Sequence, residues 1–200
     1  MKTALRLVLA SESPRRKTLL ESVGISPVVV PSNVDEDDQS HDMSPGELVK
    51  TLARRKIRKV AAGRPSDYVL GGDTIVYIDG KVLGKPQGKE EAVEMLRRIR
   101  GRTHEVYTGV ALYEPLGRTV LDDYDATFVT MRDMDEEEIR WYVETGEPMD
   151  KAGSYALQGI GGFFVTKVDG DFSSVVGLPL PKVYDLLRRA GVSLGEIHQL

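Results

Sequence analysis

Tyr68-Val69-Leu70-Gly71-Gly72-Asp73-Thr74-Ile75-Val76-Tyr77-Ile78-Asp79-Gly80-Lys81-Val82-Leu83 is the stretch on which the architecture turns. Tyr68-Val69-Leu70 reads as a strand, Asp73 to Ile78 continues extended, and Asp79-Gly80 is a two-residue turn signal that folds Lys81-Val82-Leu83 back as a hairpin. A hairpin brings an antiparallel pair, so an all-parallel sheet is excluded.

Working outward, Leu5 to Ala10 reads as a buried strand running into a helix over Pro14 to Val23 that Gly24 ends. Val28-Val29-Val30 is a short second strand, and the acidic run Asp35-Glu36-Asp37-Asp38 follows it. Ser44-Pro45-Gly46-Glu47 has the form of a capping box and opens a helix reaching about Ala61. Beyond the hairpin, Lys89 to Arg100 is an amphipathic helix stopped by Gly101. Extended segments cover His104 to Tyr113 and Thr119 to Met131, and Asp135-Glu136-Glu137-Glu138 caps a further helix. Phe163 to Val168 and Ser173 to Val176 flank Asp169-Gly170 as an expected second hairpin. A last helix runs from about Lys182 to Gly191. The interleaving predicts an α/β fold, a mixed twisted sheet flanked by helices.

The chain has 200 residues, 40% of them hydrophobic and 29% charged, enough for one well-buried core, and no linker or repeat divides it. One domain over residues 1–200 is expected. A net charge of −4 supplies no general basic field, so nucleic acid is not an expected partner. The absence of cysteine excludes disulfides, thiolate metal sites and cysteine nucleophiles. No apolar run approaches the roughly 20 residues of a membrane span, and Arg6 interrupts the apolar start, so a cytoplasmic protein without a membrane partner is expected.

Several residues stand out against this background. Ser13 suits a helix N-cap and Pro14 the first helical position, which places Arg15 and Arg16 in a first turn where cations oppose the helix dipole. The turn is either a solvated basic turn or an anion site in which amides and two guanidiniums meet a phosphate. Lys56 projects near the middle of the apolar stripe Leu48, Val49, Leu52, Ala53, Ile57 and Val60; its ammonium either snorkels to solvent or enters a cleft. Asp73 ends a hydrophobic strand after two glycines, as a turn former or a site carboxylate. The acidic run is either a solvated loop or a source of oxygen ligands for Mg²⁺ or Mn²⁺. Lys151 to Gly162 is a glycine-rich stretch able to approach an anion or a base ring. The P-loop pattern is absent, and G-x-G-x-x-G fails at Phe164. His41, His104 and His198 have no metal-type spacing and read as ordinary surface or packing residues.

Six ordered motifs carry a resemblance. Ala10-Ser11-x-Ser13-Pro14-Arg15-Arg16, Leu52-Ala53-x-x-Lys56, Gly72-Asp73-Thr74-Ile75-Val76, Leu83-Gly84-Lys85-Pro86, Asp150-Lys151-Ala152-Gly153-x-Tyr155-x-x-Gln158-Gly159 and Val176-Gly177-Leu178-Pro179 together resemble the Maf family over nearly the whole chain. That resemblance implies a fold related to the inosine triphosphatase group, an elongated mixed sheet with two lobes around a nucleotide cleft. It implies a nucleoside triphosphate pyrophosphatase releasing a nucleoside monophosphate and pyrophosphate. Ser11, Arg15, Arg16, Lys56 and Lys85 would surround the triphosphate. Glu36 and Asp73 would handle a divalent metal, Mg²⁺ or Mn²⁺, and the attacking water, with Asp73 as general base and Lys56 and Lys85 completing the catalytic set.

Arg15, Thr74 and Gln158 resemble the branch acting on dTTP and UTP, and the Gln158 amide suits the O4/N3–H edge of thymine or uracil. Modified pyrimidine triphosphates are included in that expectation. The sequence departs from the usual pattern at Gly72, Ile57 and Glu12. The resemblance is also compatible with a homodimer and leaves a second reading, a nucleotide-binding regulatory protein acting in septum arrest.

Overall fold

Three long strands organise the chain, because each carries residues of both of the packed units into which it divides. The computed structural model describes residues 6–34 and 43–197. In chain order the elements are β1 (Leu7–Leu9), α1 (Pro14–Ser22), β2 (Val28–Val29), α2 (Pro45–Ala61), β3 (Tyr68–Ile78), β4 (Lys81–Leu83) and α3 (Lys89–Ile99). They continue as β5 (Thr103–Glu114), β6 (Thr119–Met131), α4 (Glu136–Glu144), 3-10 turns at Glu147–Asp150, Ala152–Ser154 and Ile160–Phe163, β7 (Val165–Asp169), α5 (Phe172–Val176), α6 (Leu180–Arg189) and α7 (Leu194–Ile197). The strands form one mixed sheet in the order β2-β1-β3-β5-β6-β7, with β4 on β3. β1 pairs parallel with β2 and β3, whereas β3–β4 and β6–β7 are antiparallel. The mixed α/β expectation therefore holds, and Asp79 and Gly80 form the hairpin turn with both residues at positive φ.

The first unit comprises Met1–Asp73, Thr108–Asp125 and Gly177–Leu200. Its core joins Val8 of β1, Ala10 just after it and Val69 of β3 to Ala53, Ile57 and Val60 of α2, with Ala111 of β5 alongside. Small residues bring α2 unusually close to the sheet. The Ile57 Cγ2 methyl lies 2.6 Å from where a Cβ on Gly71 would stand, and a Cβ on Gly109 would run into the Val49 backbone. Those contacts fix the height of α2 over β3 and so set what Lys56 can reach.

The second unit comprises Thr74–Tyr107 and Ala126–Val176. Its core gathers Val76 and Ile78 of β3, Ala92, Val93, Leu96 and Ile99 of α3, Val129 and Met131 of β6, and Ile139, Tyr142 and Val143 of α4. α4 begins with a complete capping box, Asp135 accepting from the Glu138 amide and Glu138 from the Asp135 amide. At Ser44 only half of the expected box forms, since Glu47 turns to Lys50 instead.

Two expected features are corrected. Ser173 to Val176 is helix rather than the second arm of a hairpin, because the Asp171 carboxylate accepts from both the amide and hydroxyl of Ser173 and so starts α5. β7 pairs with β6 instead. The helix expected last, from about Lys182, is α6; it starts at Leu180, and the short α7 follows it.

His104 is a packing residue, as expected, and an unusually enclosed one at 2% exposure. Its Nε2 shares a 2.8 Å hydrogen bond with the Tyr155 hydroxyl, while Nδ1 has no partner among the described residues. Burial pushes its pKa down from 6.5 to about 4. Above pH 6.5 the imidazole is neutral in both folded and unfolded chains; below it the unfolded chain takes up a proton that the folded chain resists. Between pH 6.5 and about 4, stability therefore falls, by about 3 kcal/mol from this group. Urea unfolding across that window is expected to show this extra loss in the wild type and not in His104→Gln; equal losses would refute it.

Candidate active site

The turn after β1 is built around Arg16. Ser13 occupies the N-cap of α1, yet its hydroxyl makes no capping bond, which corrects the expected role. Its amide instead donates to the Ser11 hydroxyl oxygen at 3.1 Å. Ser11, itself buried, also accepts from Arg16 Nη1 at 3.1 Å, and Arg16 Nε donates to the Gly177 carbonyl at 2.7 Å. Gly177 has φ +127, a conformation that L side chains rarely adopt. Arg16 is thus held from two sides, with Arg15 half-buried beside it and Glu12 exposed.

The same guanidinium reaches β3. A Cβ on Gly72 would lie 3.5 Å from Arg16 Nε, 3.1 Å from the Gly109 carbonyl and 3.6 Å from Leu178. A side chain at Gly72 would press on the Gly109 carbonyl and touch Arg16 only at ordinary contact distance, immediately before Asp73. Strand alternation places Gly71 and Asp73 on one face of β3, and α2 crosses that face with Ile57 over Gly71. One residue earlier on the helix, Lys56 Nζ meets Asp73 Oδ1 at 2.5 Å. Both side chains are nearly inaccessible, at 7% and 8% exposure. Lys56 does not snorkel: it forms a buried ion pair. Ser11, Arg16, Gly72, Asp73 and Lys56 are brought together in the first unit.

Thr74, Lys85 and Gln158 belong to the second unit. Lys85 is exposed in the bend after β4, and the preceding Gly84 carbonyl accepts from the Gly153 amide at 3.0 Å. Gly153 in turn packs on Val76, two residues beyond Thr74, with a Val76 methyl 2.6 Å from where a Cβ on Gly153 would stand. Gln158 is exposed at the bend of the glycine-rich stretch. Within this unit, the Lys85 bend and the glycine-rich stretch are thus joined, and β3 supports both.

Glu36 lies outside the described residues, so its part in a metal site is not described. Among the described residues no group of three His, Asp or Glu side chains gathers as a ligand set. Of the two residues expected at a metal, Asp73 is described and would offer one carboxylate. This fits a Mg²⁺-type ion that takes one or two carboxylates and completes its shell with substrate phosphates and water, rather than an all-protein cage. No helix among the described residues is long and apolar enough to cross a membrane.

Two contacts leave little signal in the sequence. The Gly177 carbonyl that clamps Arg16 is marked there only by the Gly177-Leu178-Pro179 motif. Glu147, between Gly146 and Pro148 just before the glycine-rich stretch, turns its carboxylate onto that stretch.

The first unit thus sets an arginine, a buried lysine and a buried carboxylate around the end of one strand of an α/β sheet. The model of the Maf-like protein family matches residues 6–190, and the chain belongs to that family. Its relatives include a protein of Symbiobacterium thermophilum, 49% identical over 93% of this chain and 94% of that protein. Others are from Dictyoglomus turgidum, 45% identical over 94% and 97%, and Clostridium tetani, 43% identical over 95% and 100%. All three bear the name dTTP/UTP pyrophosphatase.

Removing one member of a buried ion pair strands the other charge, at a cost of about 3–5 kcal/mol. Lys56→Met is expected to lose stability on that scale in denaturant unfolding. Adding Asp73→Asn should then cost less than about 1 kcal/mol more, since the stranded charge is gone. Fully additive losses would show that the two groups are not coupled.

Proposed function

We propose that this chain hydrolyses dTTP and UTP to the nucleoside monophosphate and pyrophosphate. The observation that carries the reading is the buried Lys56–Asp73 pair beside the Arg16 turn, in a chain whose relatives are named for that reaction. Anion-binding groups and a carboxylate lie side by side, and phosphoryl transfer to water calls for both.

Asp73 is the general base. Lys56 holds its Oδ1, fixing the carboxylate so that the other oxygen is oriented to accept a proton from water. The water oxygen attacks the α-phosphorus, its proton passes to Asp73, and the bond from the α-phosphorus to the bridging oxygen breaks. Pyrophosphate leaves with that electron pair. Arg15, Arg16 and the Ser11 turn offset charge on the phosphates, Lys85 does so on the leaving group, and the protonated Asp73 returns its proton to solvent. Mg²⁺ or Mn²⁺, held by Asp73 and Glu36, supplies charge neutralisation and a more acidic water when bound. Thr74 and Gln158 contact the nucleoside, the Gln158 amide matching the O4/N3–H edge of the pyrimidine and accepting modified pyrimidines that keep it.

Residues 1–200 serve this activity as one functional domain, acting on cytoplasmic nucleotides, and a homodimer is part of the same proposal. The second reading, a nucleotide-binding regulator of septum formation, needs the cations but has no use for a catalytic carboxylate.

Pyrophosphate release from dTTP, UTP, CTP, GTP and 7-methyl-GTP with Mg²⁺ or Mn²⁺ tests the proposal. Turnover of dTTP and UTP is expected, with Asp73→Asn lowering kcat by about 100-fold or more. Nucleotide binding with no turnover would favour the regulator, and full activity in Asp73→Asn would remove Asp73 as the base.

A further inference from the structure

The glycine-rich stretch is gripped around Gln158 by the carboxylate of Glu147. Glu147 sits in the turn after α4, where its own amide donates to Thr145 Oγ1 at 3.2 Å. Its Oε2 accepts from the Ile160 amide at 2.9 Å and its Oε1 from the Gly161 amide at 2.8 Å. Oε1 also accepts from the Tyr142 hydroxyl at 2.8 Å, and that hydroxyl accepts from the Ala156 amide at 3.1 Å. One carboxylate and one phenol therefore grip the chain on both sides of Gln158.

The glycines show how closely the chain wraps this carboxylate. Gly159 has φ +106, and a Cβ there would collide with Glu147 Oε2. A Cβ on Gly161 would stand 2.5 Å from the Tyr142 hydroxyl. Burial pushes the Glu147 carboxyl up, but the Gly161 and Ile160 amides, the Tyr142 hydroxyl and nearby Lys151 outweigh it and hold the pKa below the ordinary value. The group stays an acceptor on both oxygens. Gln158 is exposed at the crown of the bend, while the backbone beneath it is fixed.

We propose that Glu147 is a positioning residue for base discrimination, fixing the bend over residues 158–161 and so the direction in which the Gln158 amide faces a pyrimidine. The inference rests on the function proposed above and on the role given there to Gln158. A glutamine amide carries both donor and acceptor, so a loosely held Gln158 can turn to match either the O4/N3–H edge of uracil or the reversed pattern of cytosine. Discrimination between UTP and CTP therefore depends on how firmly the bend is held.

Glu147→Gln keeps the shape but replaces one acceptor oxygen with a donor, which faces an amide that is also a donor. Steady-state kinetics of this variant with UTP and CTP test the proposal, alongside Gln158→Ala and the double variant. The preference for UTP over CTP is expected to fall about tenfold in Glu147→Gln, through a raised KM for UTP more than a lowered kcat. Gln158→Ala added to it should change that ratio by less than about twofold, because both act through one amide. Faster hydrogen exchange at the Ile160 and Gly161 amides should accompany the loss.

Equal losses on UTP and CTP, or a ratio falling independently in the double variant, would overturn the positioning role while leaving the pyrophosphatase intact. A wild type that turns over neither nucleotide, or does not distinguish them, would instead overturn the reading on which the inference rests.

Discussion

A lysine and a carboxylate removed from water together constrain everything around them. Either charge left alone in the first unit would cost several kcal/mol, so the packing that brings them to 2.5 Å cannot relax without penalty. That packing is specified by absent side chains. Gly71 admits the Ile57 methyl and Gly109 admits the α2 backbone, which lowers the helix onto β3 until Lys56 comes level with Asp73. A larger residue at either glycine would lift α2, and the ion pair would be lost before the fold.

Arg16 presents the opposite electrostatic problem. A cation in the first turn of a helix is unfavourable by about 0.3–1 kcal/mol, and α1 has no acidic residue there to compensate. Compensation comes from outside the helix. The Gly177 carbonyl and the Ser11 hydroxyl turn their negative ends toward the guanidinium. At Arg16 two neutral dipoles take up part of the positive charge, whereas Lys56 is met by a carboxylate.

Much of the fold was legible because its signals are local. The Asp79-Gly80 hairpin, the α4 capping box and most helix ends follow from turn chemistry and periodicity. The failures arise where one side chain redirects the backbone: Asp171 starts a helix in a segment of strand-like composition, and Ser11 draws the Ser13 amide to its own hydroxyl while the Ser13 hydroxyl caps nothing. At the candidate site, Lys56 and Asp73 were conspicuous singly as charges among apolar residues. Their pairing was not, because it depends on the register of α2 against β3, which no local pattern encodes. Glu147 left even less trace, as an acid in a turn is commonplace until its amide partners more than ten residues away are known.

The division of the chain has a temporal meaning. The first unit is closed by residues from Gly177 onward, whereas the segments of the second are complete at Val176. As the chain emerges from the ribosome, β1 and α1 precede by more than 150 residues the carbonyl that restrains Arg16. The clamp on Arg16 therefore closes only after the segments of the second unit have been made. Growing chains carry a basic turn without its clamp, and premature termination before Gly177 yields the second unit with an unfinished first.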